Sequence, residues 1–417
     1  MNGPSLPPIF DGRTGSSPAS ARNGGGGEGR DGAYALLFAV NFLTALGFSL
    51  LDPFLAIYAG GLGATGLSTA LIFTGYSLSK ALLSPMAGFW SQAASKRLVI
   101  AVGLVLYGVA ALCLLFQPAL PLLIALRVVQ GAAVAFIRPV SLAFVGDLVP
   151  VRREGAMMGK FELSFYGALA IGPALGGAVK DAAGFPVLFA VYFAVATASL
   201  LAVAFFWKRL SAPDDLPATG REPSWHVWKS RDLLAINGYI FTRIFGISVC
   251  AVFLPVFMTG SLRLSGAEVG LVMASGAAVT VMLLVPMGRA ADRIDRRLPI
   301  AVGSAACALL TFLLPFAPGF LSVLAIAAGI GFFSVVTIPS TFALLVKLGR
   351  RYGTGVTMGI FNGAINAAFI VAPLAGGLIA DHGGLWMVFP AAGIFGLAGT
   401  CFFLVLCRSR GGDGSAD

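Results

Sequence analysis

Six ionisable residues sit inside long apolar runs of this chain: Asp52, Lys80, Arg127, Arg138, Glu162 and Arg243. At the centre of a bilayer each would cost about 2.5–3.5 kcal/mol, and the six together roughly 15–20 kcal/mol if they faced lipid. They are therefore expected to face water or one another. Such a set can exchange protons on its carboxylates and recognise charge with its cations. Asp52 precedes Pro53, which cannot donate to the carbonyl of Ser49 and so kinks a helix there. A carboxylate desolvated at a kink, with arginines near, has a proton affinity that a change of conformation can move. Glu162 is the rival carboxylate, nearer the start of its run. Ionised, four cations against two carboxylates leave an excess of +2, which favours an anionic or zwitterionic partner over a lipophilic cation.

Spacing groups these residues with others. Arg127 and Arg138 are eleven apart, close to three helical turns, and so share one face about 16 Å apart along the axis. Asn41 and Asp52 repeat that spacing with Thr44 near the same stripe, as do Asn237 and Ser248, while Asn362 and Asn366 lie one turn apart. These stripes would line a central cavity. Asn41, Lys80, Arg138, Arg243, Asn362 and Asn366 are the expected binding residues, and Asp52, Glu162 and Arg127 the expected proton-handling group. Each has a structural alternative. Arg127 could simply join two helices, Glu162 could pair with Lys160 at an interface, and Lys80 could snorkel to a surface.

The elements that must hold them are transmembrane helices. Apolar residues make up 58% of the 417 and charged residues 11%, against roughly a quarter in ordinary soluble domains. Twelve charge-poor runs follow one another, at about 34–57, 67–89, 98–116, 121–147, 155–178, 186–206, 233–258, 267–288, 299–316, 320–346, 355–379 and 385–407. Each is long enough to cross about 30 Å of hydrocarbon. The chain also repeats at an offset of 200: Ile100–Gly103 returns as Ile300–Gly303, and Met158, Gly159, Phe161, Pro173, Gly176, Gly177, Asp181 and Gly184 return at 358 to 384. Two copies of one unit predict an all-α integral membrane fold of two pseudo-symmetric six-helix bundles, with a site between them.

The expected division is a disordered cytoplasmic tail at 1–31, a first bundle at 32–206, a linker at 207–232 flanked by Trp207, Trp225 and Trp228, a second bundle at 233–407 and a tail at 408–417. Twenty-one Lys and Arg fall on the side of the N-terminus, against Lys180 and Arg263 on the other. The positive-inside rule thus puts both termini in the cytoplasm and explains the net charge of +10 without a nucleic-acid partner. Cys113, Cys250, Cys307, Cys401 and Cys407 stand singly, and His226 and His382 form no cluster, so neither a metal site nor a disulfide framework is expected. There is no nucleophile–base pair or phosphate loop, so the chain reads as a non-enzyme needing no cofactor.

Three motifs carry a resemblance. The run Gly172-Pro173-Ala174-Leu175-Gly176-Gly177 returns as Ala372-Pro373-Leu374-Ala375-Gly376-Gly377, small residues that let backbones approach closely in a bilayer. Arg127-Val128-Val129-Gln130-Gly131 reads R-x-x-Q-G. Gly288 to Arg297 reads G-x-x-x-D-R-x-x-R-R, with Asp292, Arg293 and Arg297 in place and Asp295 where glycine is usual. Together they resemble the major facilitator superfamily, and within it the drug/proton antiporter branch, over about 34–407. The resemblance implies that the Gly-Pro runs are conformational elements between halves, that Arg127 takes part in proton transfer, and that the loop carboxylate latches one conformation. The first-half loop, Gly88 to Arg97, has Gln92 where that carboxylate belongs, which leaves Asp292 as the candidate.

The expected function is a proton-coupled exporter, working by alternating access as a monomer in the bilayer on a small anionic or zwitterionic substrate. Ala/Gly/Arg-rich usage points to a bacterial inner membrane. The alternatives are a proton symporter taking up an organic anion or sugar, and a lipid flippase on the same fold.

Overall fold

A computed structural model describes residues 25–93, 95–148, 154–210, 230–291, 297–352 and 354–408. Eleven α-helices run through them: α1 Gly25–Gly61, α2 Gly66–Ala93, α3 Lys96–Leu114, α4 Leu120–Leu148, α5 Glu154–Phe205, α6 Arg231–Gly260, α7 Gly266–Ala291, α8 Arg297–Leu313, α9 Phe320–Tyr352, α10 Thr354–Gly383 and α11 Val388–Arg408. Ten helices are long and apolar enough to cross a membrane. The exception is α2, whose Lys80 and scattered Ser and Thr lower its hydropathy. A helix satisfies its own backbone within the apolar layer, which is why uninterrupted apolar runs fold this way. Outward from the core, Phe116, Phe205, Met282, Leu321 and Val405 are exposed, the surface of a protein solvated by lipid.

The count differs from the twelve runs expected because the fifth and sixth meet at a kink with no loop between them and are counted together as the 52-residue α5. Its backbone leaves helical geometry at one residue, Gly184 (φ 76, ψ −177), where only glycine is unstrained. Pro186 then restarts the helix, as proline does in a first turn. The matching Gly384 has φ 84, and there the chain passes through a short 3-10 turn, Leu385–Met387, before α11. At the other end, α1 opens at Gly25, inside the segment expected to be a tail. Residues 1–24, 211–229 with Trp225 and Trp228, 409–417, and Asp292 and Arg293 lie outside the described residues. Gly288 falls within α7, and Arg297 opens α8.

Helix packing repeats between halves. In the first, α1 lies against α5 and α4 against α2 and α3; in the second, α6 lies against α10 and α11, and α9 against α7 and α8. Between halves, α5 meets α7, α2 meets α10, and α1 meets α6. Glycines show the shared register. A methyl group on Gly131 would strike the Tyr76 carbonyl, and one on Gly331 would strike the carbonyl of Gly276.

Candidate functional site

Two ion pairs lie at different depths along α4. Near its first turns, Arg127 Nη2 is 2.6 Å from Asp52 Oδ1 on α1. Arg127 also donates to Gln130 Oε1 at 3.2 Å and to the Ile72 carbonyl at 3.4 Å, and the rings of Phe48, Phe73 and Tyr76 surround it. Gln130 passes the network on to the Tyr192 hydroxyl at 2.9 Å, and Tyr107 donates to the Thr44 carbonyl at 3.0 Å. The side chains of Arg127 and Asp52 are only 3% and 13% exposed. Three turns further along α4, Arg138 Nη2 lies 2.8 Å from Glu162 Oε2 on α5 and stacks over Phe165 at 3.5 Å. Both side chains of that pair are 30% exposed. One pair is sealed and the other open, although both arginines share one helix face.

At the end of the molecule where α1 and α6 finish, the halves are clipped together twice. Asp181 of α5 accepts hydrogen bonds from the first amides of α7, Gly266 at 2.9 Å and Ala267 at 2.7 Å. Asp381 of α10 accepts from the first amides of α2, Gly66 at 2.6 Å and Leu67 at 2.9 Å. Both carboxylates and both glycines are related by 200 residues. A carboxylate at a helix N-terminus satisfies otherwise orphaned amides and meets the positive end of the dipole. Close backbone approach makes the clips possible: methyl groups on Gly177 and Gly377 would strike the carbonyls of Gly266 and Gly66, and one on Gly270 would strike that of Pro173. Toward the opposite end Asn362 is exposed and the Arg138–Glu162 pair is partly exposed.

The second half holds a cavity of about 290 Å³ between α5, α6, α7, α8, α9 and α11. Arg243 and Ser334 stand toward the end of α6 that begins at Arg231, and Leu254 and Val272 toward the clipped end. Arg243 donates through Nη2 to the Ser334 carbonyl at 3.3 Å, while its buried Nε has no partner. Leu169 of α5 is the wall supplied by the other half.

Among the expected binding residues, Lys80, Arg138 and Arg243 are partly exposed; the buried Asn41 is taken up by a 2.7 Å hydrogen bond to Ser164 of α5. Asn362 bonds back to the Met358 carbonyl at 3.0 Å, and Asn366 is half-buried. Of the glycines in the Gly-Pro runs, Gly177 and Gly377 face the other half. Gly172 and Gly176 instead fit against Ser49 and Leu50 of α1, and Gly376 against Phe253 of α6. Sequence reading missed Tyr76, Tyr107 and Tyr192, since tyrosine in an apolar run looks like core. It also missed Asp181 and Asp381, although their recurrence at 200 was visible. Among the described residues, no three His, Cys, Asp or Glu side chains gather as a metal site.

Apolar helices of membrane length with an ion pair sealed between them define a multi-pass integral membrane protein. The family model of the Major Facilitator Superfamily matches residues 37–251 and 236–415, and the chain belongs to that family. It is 26% identical over 372 residues to an uncharacterized MFS-type transporter of Methanocaldococcus jannaschii, covering 87% of this chain and 95% of that one. Multidrug resistance protein 2 of Bacillus subtilis is 21% identical over 358 residues, covering 84% and 88%. Quinolone resistance protein NorA of Staphylococcus aureus matches 148 residues at 26% identity, 36% of this chain and 38% of its own. Among solved structures, a POT family transporter in complex with a thioalcohol conjugated peptide superposes with a TM-score of 0.76 at 15% identity, covering 90% and 96%. An inward-facing, unoccupied bacterial homolog of the lysosomal transporter Spinster gives 0.75 at 13%, covering 94% and 98%. The chain is thus a transporter that resembles the family's drug-efflux branch, and not an enzyme.

Proposed function

We propose that the protein is a proton-coupled exporter of small anionic or zwitterionic molecules. It works as a monomer, by alternating access between two six-helix bundles, 32–206 and 233–407. On this reading the two helical segments of α5 are separate spans, making twelve, and both termini lie in the cytoplasm of a bacterial inner membrane. The drug-efflux relatives support export, and on this reading the clips hold the outer face closed.

The observation that carries the reading is the sealed pair beside the open one. Asp52 lies nearer the clipped face and Glu162 nearer the open one. Rocking the halves apart at the clips would admit outside water to Asp52. A proton taken there neutralises the carboxylate and frees Arg127 to strengthen its bonds to Gln130 and Ile72. Closing the outer face and opening the inner one lets the proton leave, with Glu162 available as a relay. Among the described residues, Lys80 and Arg243 have no carboxylate within ion-pair distance, and this residual charge supports an anionic or zwitterionic substrate.

The test uses everted membrane vesicles carrying a pH-sensitive dye, with a panel of anions, zwitterions and cations. Wild type should show a compound-dependent collapse of the proton gradient, and Asp52→Asn should lose it. A collapse that survives in Asp52→Asn would move the coupling to Glu162; none with any compound would favour uptake or lipid flipping.

A further inference from the structure

The 200-residue repeat lets the interiors of the two halves be superposed residue by residue, and they are filled differently. In the first half Tyr76, Tyr107, Arg127, Gln130 and Tyr192 form the plug around Asp52. Their counterparts are Gly276, Cys307, Ala327, Ile330 and Ala392. On α6 the register shifts by one, because Phe253 sits on Gly376 as Phe54 sits on Gly176. The counterpart of Asp52 is therefore Ala251. All six counterparts line the second-half cavity. The hollow is thus the emptied image of the plug, with glycine, alanine or cysteine in place of the three tyrosines, Arg127 and Asp52, and Ile330 in place of Gln130.

Protein interiors hold few voids larger than a water molecule, so an unfilled volume of this size leaves its lining without dispersion partners. About 290 Å³ falls near the low end of ligand pockets, ~300–1,000 Å³. The cavity is graded, with the half-buried Arg243, which donates from Nη2 to the Ser334 carbonyl, near one end and Leu254 and Val272 toward the other. A guanidinium presents a planar fork suited to a carboxylate. Because Leu169 from the first half forms one wall, an occupant also touches both halves.

We propose that this cavity binds a small amphipathic monoanion, its acid group on Arg243 and its apolar body in the space that Tyr107 and Tyr192 fill in the other half. This rests on the reading of the chain as an anion transporter and names the substrate class. The rest of the lining is mostly apolar, and its hydroxyls on Thr242, Ser304, Thr311 and Ser334 are already bonded within the protein, which disfavours strongly polar substrates such as sugars.

The test uses the full-length protein in phosphatidylcholine nanodiscs with octanoate as probe, and octylammonium, octanol and acetate as controls. Thermal unfolding and site-resolved alkylation of Cys250 and Cys307, which both line the cavity, are the readouts. Octanoate should raise the unfolding temperature saturably and slow both alkylations, while octylammonium and acetate do neither. Arg243→Gln should weaken the effect about 10- to 100-fold, and Ala277→Phe should abolish it by filling the space. Partial recovery in Arg243→Lys, and an unchanged response in the lipid-facing Leu321→Ala, would separate a lost charge from a misfolded protein. Equal responses to octanoate, octylammonium and octanol would overturn the role of Arg243, and an octanoate effect that survives Ala277→Phe would overturn the location. Octanoate protection without proton movement in vesicles would sink the exporter reading and leave this site standing. Proton movement with both cysteines unprotected would do the reverse.

Discussion

The first half of the molecule closes its interior with its own side chains, whereas the second leaves the same interior open. At equivalent depths, Arg127 with three tyrosines stands in one and Ala327, Gly276, Cys307 and Ala392 in the other. A duplicated scaffold can divide its work in this way. One copy keeps a titratable pair sealed against solvent, and the other keeps space and one cation for cargo. The backbone scaffold of α2 with α4 is kept in α7 with α9, as the glycine contacts at Gly131 and Gly331 show.

The largest expected effect comes from breaking the plug. Arg127→Ala leaves Asp52 buried without its partner and should destabilise the protein by about 3–5 kcal/mol, seen as a drop in unfolding temperature in nanodiscs. Asp52→Ala added to Arg127→Ala should recover a large part of the loss, because no uncompensated charge remains. Ala327, the second-half counterpart, should tolerate change far better.

Next come the two clips, which act on both halves at once. Asp181→Ala or Asp381→Ala removes an N-terminal cap worth about 1 kcal/mol, a shift of about fivefold toward a state open at the clipped end. The double variant should shift the distance distribution between spin labels at Gly61 and Ser261 about twice as far in free energy. Equal distributions in wild type and double variant would show that the clips do not set the balance.

A smaller effect separates the two ion pairs. Glu162→Gln breaks a pair that is 30% exposed, where water replaces the partner, so its cost should stay within about 1 kcal/mol. A cost equal to that of Arg127→Ala would erase the distinction between sealed and open pairs. The smallest effect is expected from Ala327→Leu, which fills part of the cavity. It should raise stability by about 0.5–1 kcal/mol while slowing transport, opposite signs that a purely structural void would not produce.

The charged residues, the repeat and the transporter scaffold were legible because mid-membrane charge is costly and a 200-residue period needs no three-dimensional knowledge. The partners were not. Periodicity put Arg127 and Arg138 on one face, but which carboxylate each meets depends on how α1 and α5 cross α4. That the fifth and sixth runs meet without a loop turned on one backbone angle, the break at Gly184. The clips were visible only as recurring aspartates, since an N-cap taken from another half leaves no local signature. The cavity lay in what failed to repeat: Tyr107 against Cys307 means nothing until Gly103 and Gly303 establish that the two are equivalent.

The division of labour is tested most directly in proteoliposomes loaded with octanesulfonate, a monoanion that does not leak out as a neutral acid, comparing exchange across a membrane without a pH difference with transport driven by one. Asp52→Asn should keep exchange and lose driven transport, because cargo still binds while the proton has no carrier. Arg243→Gln should lose both. Exchange that disappears in Asp52→Asn, or survives intact in Arg243→Gln, would contradict the assignment of coupling to the first half and cargo to the second.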